Sequence, residues 1–549
     1  MDDLVLYFLG LCLPLLALYG VVRCSYSIWW KPRWIERKLR QQGIRGSPYK
    51  LLVGDMKEQT RLITEAWSKS INLNHQILQR VDPMTTVTVR KYGKMSIFWF
   101  GTTPRLIICD PELIKEVLAN RLGHFEKPLV NPLLRLLARG VTDLQGEKWA
   151  ERRKVINPAF QLEKLKVIFS LALILCNLNW NLYVNFSFWF LEFILKGMIP
   201  VFAFSCNRMI EQWKEMVHDQ ETCEVDVWPE LQKVTKDIIS RVAFGSSYEE
   251  GKKIFELQQE SIMLAVEATK SLYVPGFRFV PTKKNRRRYE LAREITSMLR
   301  DLVERKQNAM RTGKSKLDDL LSLLLHSNEQ NSSSNASGRK VNGLTIEEVI
   351  EECKVFYLAG QETTSSLLTW TLIVLAMHPD WQEKAREEVL QVCGKSEPNF
   401  EALNHLKIVT MILNEVLRLY PPVITQFRHA YKESKIGDMT IPAGIDLVLH
   451  TMLLHRDPEL WGDDAEEFRP ERFSEGVLKA SKNHLSFIPF GVGQRTCIGQ
   501  NFAMLEAKTV LARILQHFSF ELSPTYSHAP SNFLMLQPQH GAQIILHQI

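Results

Sequence analysis

Residues 487–515 read FIPFGVGQRTCIGQNFAMLEAKTVLARIL, and the fold turns on how Cys497 is read within them. A lone cysteine is usually a buried small hydrophobe. Here Gly491, Gly493 and Gly499 let the backbone turn tightly and approach a flat object closely. Arg495 supplies a forked donor just ahead of the cysteine. A helical pattern starts just after Cys497, so the thiol sits near a helix N-terminus, whose positive end stabilises a thiolate. A thiolate held in a glycine-rich loop beside an arginine suits an axial ligand of heme iron, where its electron donation favours O–O cleavage.

The run Phe490-x-x-Gly493-x-Arg495-x-Cys497-x-Gly499 resembles the heme-binding signature of cytochrome P450 monooxygenases. The resemblance implies that Cys497 binds the iron of heme b in a loop closed by Gly499. It also implies that Phe490 shields the sulfur and Arg495 binds a propionate. Glu415 and Arg418, in NEVLRLYPP, face one side of a helix. By spacing they are a surface ion pair of little worth. The resemblance instead implies a cluster with Arg472 of Pro470-Glu471-Arg472-Phe473 that holds the cysteine loop in place. Once buried, such a cluster would not tolerate the loss of any member.

Ala359-Gly360-Gln361-Glu362-Thr363-Thr364 lies inside a long apolar helical pattern. Gly360 costs helix stability, and a kinked core helix is the plain reading. The functional reading is a local opening for O₂ and water, with Glu362 and Thr363 relaying protons as general-acid chemistry requires. This matches the family's oxygen-activation motif and favours oxygenation over the isomerases and dehydratases of the same fold. Trp149 and Arg153, in WAERR, are ordinary i, i+4 packing by themselves. They match a family Trp-x-x-x-Arg that contacts heme propionates, and Arg428 is placed by resemblance as a further propionate contact.

The remaining sequence bounds this reading. The chain has 549 residues, 45% hydrophobic and 23% charged, with net charge +7. That charge is too diffuse to argue nucleic acid. Nine cysteines with no C-x-x-C indicate a reduced, cytosol-facing protein without a zinc site of ordinary spacing. Leu4–Val22 is uncharged and long enough to span a bilayer. Asp2 and Asp3 precede it, and Arg23, Lys31, Arg33, Arg37, Lys38 and Arg40 follow. These flanks predict a single anchor, residues 1–22, a basic linker, 23–48, and a cytosolic catalytic domain, 49–549. The hinge after the anchor is poor in proline, with Pro32 and Pro48.

Residues 87–109 alternate and predict two strands joined near Gly101–Pro104. Helices are predicted over Pro111–Asn120, Glu347–Met377, Trp381–Val392 and Phe400–Leu419. Extended pieces return near Lys435–Ile441, and 327–343 reads as a polar surface loop. The fold class is therefore mainly α with a minor β-sheet. Finer stretches (GSPYKLLVGD, NPAFQLEKLK, CEVDVWPELQ, LQPQHGA) resemble the plant seventy-two clan, the secologanin-synthase-like group. That resemblance implies a terpenoid-like substrate, NADPH–cytochrome P450 reductase as partner and the endoplasmic reticulum membrane as location. A pocket drawn from 120–140, Phe356–Ala359, Val423–Thr425 and Phe533–Met535 is implied as well.

Val167–Leu195 is the stretch that does not fit, because Glu192 is its one charged side chain. A single membrane crossing there would place Trp149 and Arg153 on one side of the bilayer and Cys497 on the other. Asn177, Asn179, Asn181 and Asn185 also make it a poor span. Joining Lys166 to Gly197 restores a family-like helical region. Residues 167–196 therefore read as an insert from an unspliced intron, lying outside the heme fold; the alternative is a membrane-contacting cytosolic loop. Two rival functions remain: a heme-thiolate isomerase or dehydratase, and a product inactivated by the insert.

Overall fold

The structure, a computed structural model, describes residues 2–120, 123–128, 131–160, 180–218, 222–270, 273–313, 319–333 and 343–549. They form two units: residues 1–69, 78–129 and 425–454, and residues 70–77, 130–424 and 455–549.

The first unit is built on a six-stranded sheet. Its order is Arg45–Gly46, Ser96–Phe100, Thr103–Ile108, Asp446–Leu449, Gln426–Ala430, Phe125–Glu126. Ser96–Phe100 and Thr103–Ile108 pair antiparallel, and Thr103–Ile108 runs parallel to Asp446–Leu449. Ile97, Leu106, Ile107, Ile108, Leu447, Val448 and Leu449 are buried on both faces, as strands covered on both sides require.

The strand predicted from residue 87 begins nine residues later. Residues Pro83–Tyr92 are helical instead. Asp82 caps this helix by accepting from the Thr85 N–H at 3.2 Å, with Pro83 at the first helical position. That start signal outweighs the β-branched Val87, Thr88 and Val89. Gly93, at φ 100°, ends the helix.

The predicted extended piece near Lys435–Ile441 is a hairpin, Ser434–Ile436 with Met439–Ile441. The backbone is helical over Asp2–Ser25, the stretch read as the anchor. Among the described residues no helix is long and apolar enough to cross a membrane.

The second unit is helical around Ile346–Met377. A capping box starts that helix: Thr345 and Glu348 exchange backbone and side-chain hydrogen bonds of 2.9 and 3.2 Å. Val227–Phe244 packs along it, and Gly360 is explained there. A Cβ at Gly360 would lie 2.6 Å from Ile239 Cδ1. The glycine permits close approach of two helices, and the helix runs through it unbroken. Its place in an oxygen-activating opening is not what this packing requires.

The predicted Phe400–Leu419 helix is two helices, Phe400–His405 and Lys407–Leu419. They part at Leu406, where the Glu388 carboxylate accepts the N–H groups of Lys407, Ile408 and Val409 at 2.7–3.0 Å. A carboxylate from another helix thus caps the second start. The helix Leu320–Ser333 takes in the first part of the predicted 327–343 loop; 334–342 lie outside the described residues. Of the insert, 167–179 lie outside them too. Residues 180–196 form the beginning of one helix, Trp180–His218, that continues past Pro200.

Burial pushes the rings of His75 and His455 down to about 3. The unfolded chain protonates these rings near the ordinary value of ~6.5. It therefore binds more protons than the folded chain between about 6.5 and 3, and stability falls as pH falls. Each ring is expected to remove about 1.4 kcal/mol per pH unit below ~6. Urea midpoints measured between about pH 7 and about pH 5 test this; unchanged midpoints would contradict neutral buried rings.

Candidate active site

The cysteine loop is tied to itself by backbone bonds. Cys497 N–H donates to Phe490 O at 2.9 Å, and Gly491 N–H to Ile488 O at 3.0 Å. Gly491 and Gly493 take φ of 73° and 79°, values that glycine adopts without strain. A short turn, Gly493–Arg495, precedes the thiol, and the helix Gln500–His517 follows it.

The Cys497 side chain is exposed, yet the protein around it is dense enough that burial pushes its thiol up. The Gly499 N–H and the Arg153 guanidinium oppose that rise. The thiol is thus accessible at the surface of the loop while protein crowds it from behind. The helix end and cation expected to favour a thiolate are present, and burial outweighs them in this structure.

Trp149 and Arg153 come from the helix Gly146–Phe160. Arg153 Nη2 donates to Thr496 O at 2.7 Å, one residue from the thiol. Arg495 Nη2 donates to Leu144 O at 2.9 Å, and its guanidinium stacks over the Trp149 ring at 4.4 Å. Trp149, Arg153, Arg495 and Cys497 are thus one interlocked group. Arg428 belongs to the sheet-bearing unit, buried on the strand Gln426–Ala430 and donating to Phe427 O at 2.8 Å.

Glu415 and Arg418 are fully buried and joined by two bonds of 2.7 Å. Arg418 also donates to the carbonyls of His455, Ala465 and Glu467 at 2.6–3.0 Å. Arg472 Nε stands 3.6 Å from Glu415, while its terminal nitrogens donate to Trp461 O and Asp464 O. The surface-pair reading of Glu415 and Arg418 is therefore excluded by burial.

Two connections escaped the sequence reading. His455 gives its carbonyl to Arg418, and its ring Nε2 accepts from Ile488 N–H at 3.0 Å. It joins the ion cluster to the cysteine loop, and its depressed ring pKa keeps that nitrogen an acceptor. Arg152, neighbour of Arg153, pairs with buried Glu352 at 3.0 Å and with Glu348. These pairs tie the Trp149 helix to Ile346–Met377, and Glu352 also accepts the Val141 N–H at 2.9 Å. A histidine before Arg-Asp-Pro and an arginine in a basic run carry no spacing that marks them.

On the Ile346–Met377 helix the two residues of the predicted proton relay diverge. Thr363 Oγ1 donates to Ala359 O at 2.8 Å, and Ala359 is exposed in the middle of an otherwise buried helix. Glu362 is buried, with Oε1 lacking a hydrogen-bond partner. Burial pushes its carboxyl up, opposed by Gln361 and by Lys236 of the neighbouring helix. Among the described residues no hydrogen bond joins Glu362 to Thr363. An accessible thiol with a glycine N–H and an arginine at the sulfur, beside the stacked Arg495 and Trp149, is a donor set that fits heme. Of the pocket residues, Phe356 is buried and Val423 is 37% exposed.

Comparisons with known proteins identify the family. A family model described as Cytochrome P450 matches residues 71–176 and 185–546. Cytochrome P450 CYP72A616 of Paris polyphylla is 49% identical over 100% of this chain and 100% of its own length. The 11-oxo-beta-amyrin 30-oxidase of Glycyrrhiza uralensis is 47% identical over 95% of this chain and 94% of its own. Secologanin synthase 1 of Catharanthus roseus is 46% identical over 94% and 93%.

Proposed function

Because the chain belongs to the cytochrome P450 family, we propose that it hydroxylates or further oxidises a hydrophobic terpenoid at the endoplasmic reticulum membrane. Family members carry a heme iron on a cysteine thiolate and draw electrons from NADPH through a reductase, and that cofactor supplies the O₂ chemistry. The observation that carries the reading is Cys497: an exposed thiol with the Gly499 N–H and Arg153 at the sulfur.

In this reading Cys497 is the iron ligand, Phe490 covers the sulfur and Gly499 leaves room for the macrocycle. Arg153 and Arg495, oriented by their bonds to Thr496 O and Leu144 O, and Trp149 hold the propionates. Glu415, Arg418 and Arg472 hold the loop. Thr363 faces the reacting side, and Glu362 supplies protons from the buried side of the helix. The names of two relatives, an 11-oxo-beta-amyrin oxidase and a secologanin synthase, support a terpenoid substrate.

The basic, aromatic stretch after Ser25 supports the anchor. Trp29, Trp30 and Trp34 are exposed, and Arg33 and Lys38 stack on Trp29 and Trp34, the composition of a membrane interface. The test of the function is metabolite screening of the chain co-expressed with a plant reductase in microsomes. An oxidised terpenoid that requires both NADPH and O₂ is expected, and conversion without NADPH would overturn the reading.

Two predictions follow the assigned roles. Thr363→Val is expected to lower product formation roughly 10²-fold while NADPH consumption continues and appears as hydrogen peroxide. An unchanged product yield per NADPH would remove Thr363 from proton delivery. A chain lacking residues 167–196 is expected to bind heme at least as well as the full chain, because the removed stretch belongs to an unspliced intron. Sequencing the mature transcript across these codons decides the matter: their presence throughout would contradict the intron.

A further inference from the structure

The hairpin of Pro530–Asn532 and Leu536–Pro538 pairs Asn532 with Leu536, so its tip is Phe533, Leu534 and Met535, three half-buried apolar side chains. Two strands this short do not hold a position by themselves. Leu536 supplies the hold, because both of its backbone polar groups reach outside the hairpin. Its N–H donates to Pro422 O at 3.0 Å. Its carbonyl accepts from the Ser366 hydroxyl and from Trp370 Nε1–H, the latter at 3.2 Å.

Ser366 and Trp370 stand four residues apart on the helix Ile346–Met377, the spacing that lets two side chains reach one point. Thr363 precedes Ser366 by three residues on the same stripe, about 4.5 Å along the helix axis. Ser366, Trp370 and Leu536 are fully buried. The Trp370 ring also stacks on Tyr420 with centroids 4.8 Å apart, and it meets His528, at the foot of the hairpin, edge-on at 6.0 Å. Tyr420 leads through Pro421 and Pro422 to Val423, which is 37% exposed. One tryptophan thus joins the hairpin and the turn before Val423 to the helix that carries Thr363.

We propose that Ser366 and Trp370 are positioning residues for substrate selection. Through Leu536 O they hold the hairpin tip and Val423 at a fixed distance from Thr363, and so fix which part of a bulky apolar substrate reaches the heme. This inference rests on the monooxygenase reading, and its test separates the two.

The variants are Ser366→Ala, which removes one donor, Trp370→Phe, which keeps a stacked ring and removes the other, and the two combined, each in the heme-loaded full chain. The probes are imidazole, too small to reach the hairpin, and the triaryl imidazole clotrimazole, both read by the shift of heme absorption. Clotrimazole is expected to bind about threefold more weakly in each single variant and about tenfold in the combined one, as the loss of one or two hydrogen bonds implies, with imidazole binding unchanged. Amide hydrogen exchange over 530–538 is expected to quicken in the same order. A clotrimazole-to-imidazole affinity ratio unchanged in both single variants would overturn the proposal, whether or not the combined variant retains heme. Equal weakening of the two probes would overturn it too, since that is the mark of a merely structural role. A parent chain without the thiolate-ligated carbon monoxide band would instead overturn the reading on which the inference rests. The exchange measurement needs no heme ligand, and unchanged exchange over 530–538 would by itself contradict the hold on Leu536.

Discussion

Replacing Arg418 by leucine is expected to cost about 3–5 kcal/mol of stability, a large share of the about 5–15 kcal/mol that holds an ordinary protein folded. The size follows from what the guanidinium holds. Both it and Glu415 are fully buried, their two bonds are each 2.7 Å, and three further carbonyls accept from the same guanidinium. Removing it strands the Glu415 charge with Arg472 Nε at 3.6 Å and the Arg469 N–H at 2.9 Å. The His455 carbonyl loses its donor as well, and the His455 ring is what fixes Ile488 ahead of the cysteine loop. Arg418→Lys is expected to recover less than half of the loss, because an ammonium cannot make the forked contact. Chemical denaturation and heme content of purified protein check this. A leucine variant with parental stability and full heme would show that the cluster carries neither.

The cysteine loop was legible because its meaning is local: glycines at positive φ, an arginine and a thiol lie within a few residues. The long helices were legible from their apolar period, and the Ser96–Phe100 and Thr103–Ile108 pair from alternation. What escaped notice depends on partners distant in sequence. The break at Leu406 is made by Glu388, a residue of another helix. The helix Pro83–Tyr92 was hidden because Asp82-Pro83 is a short signal set against a β-branched run. His455, Arg152 and Glu352 became visible only through burial, since nothing in their spacing marks them. Gly360 shows the converse. Its position in a recognised motif suggested an opening, and its packing against Ile239 supplies a sufficient structural reason for the glycine.

The largest functional effect is expected at Cys497. Serine there is expected to abolish monooxygenase activity, because a hydroxyl does not supply the electron donation of a thiolate. Four of the other described cysteines offer no substitute. Burial pushes Cys206 up to about 12 and raises Cys353 further, so both are inert thiols. Cys109 is buried as well, and Cys24 lies on the N-terminal helix ahead of the catalytic unit. Cys497 combines exposure, the Gly499 N–H and Arg153 at one sulfur. Arg153→Leu is the milder companion change, expected to weaken heme retention while leaving the ligand in place.

The central claim is that Cys497 holds heme iron, and the reduced carbon monoxide difference spectrum tests it most directly. The parent chain is expected to give the thiolate-ligated band, and Cys497→Ser to lose it while the protein remains folded by circular dichroism. A serine variant that keeps the thiolate-ligated band would contradict the account, as would a folded, heme-loaded parent that never shows it.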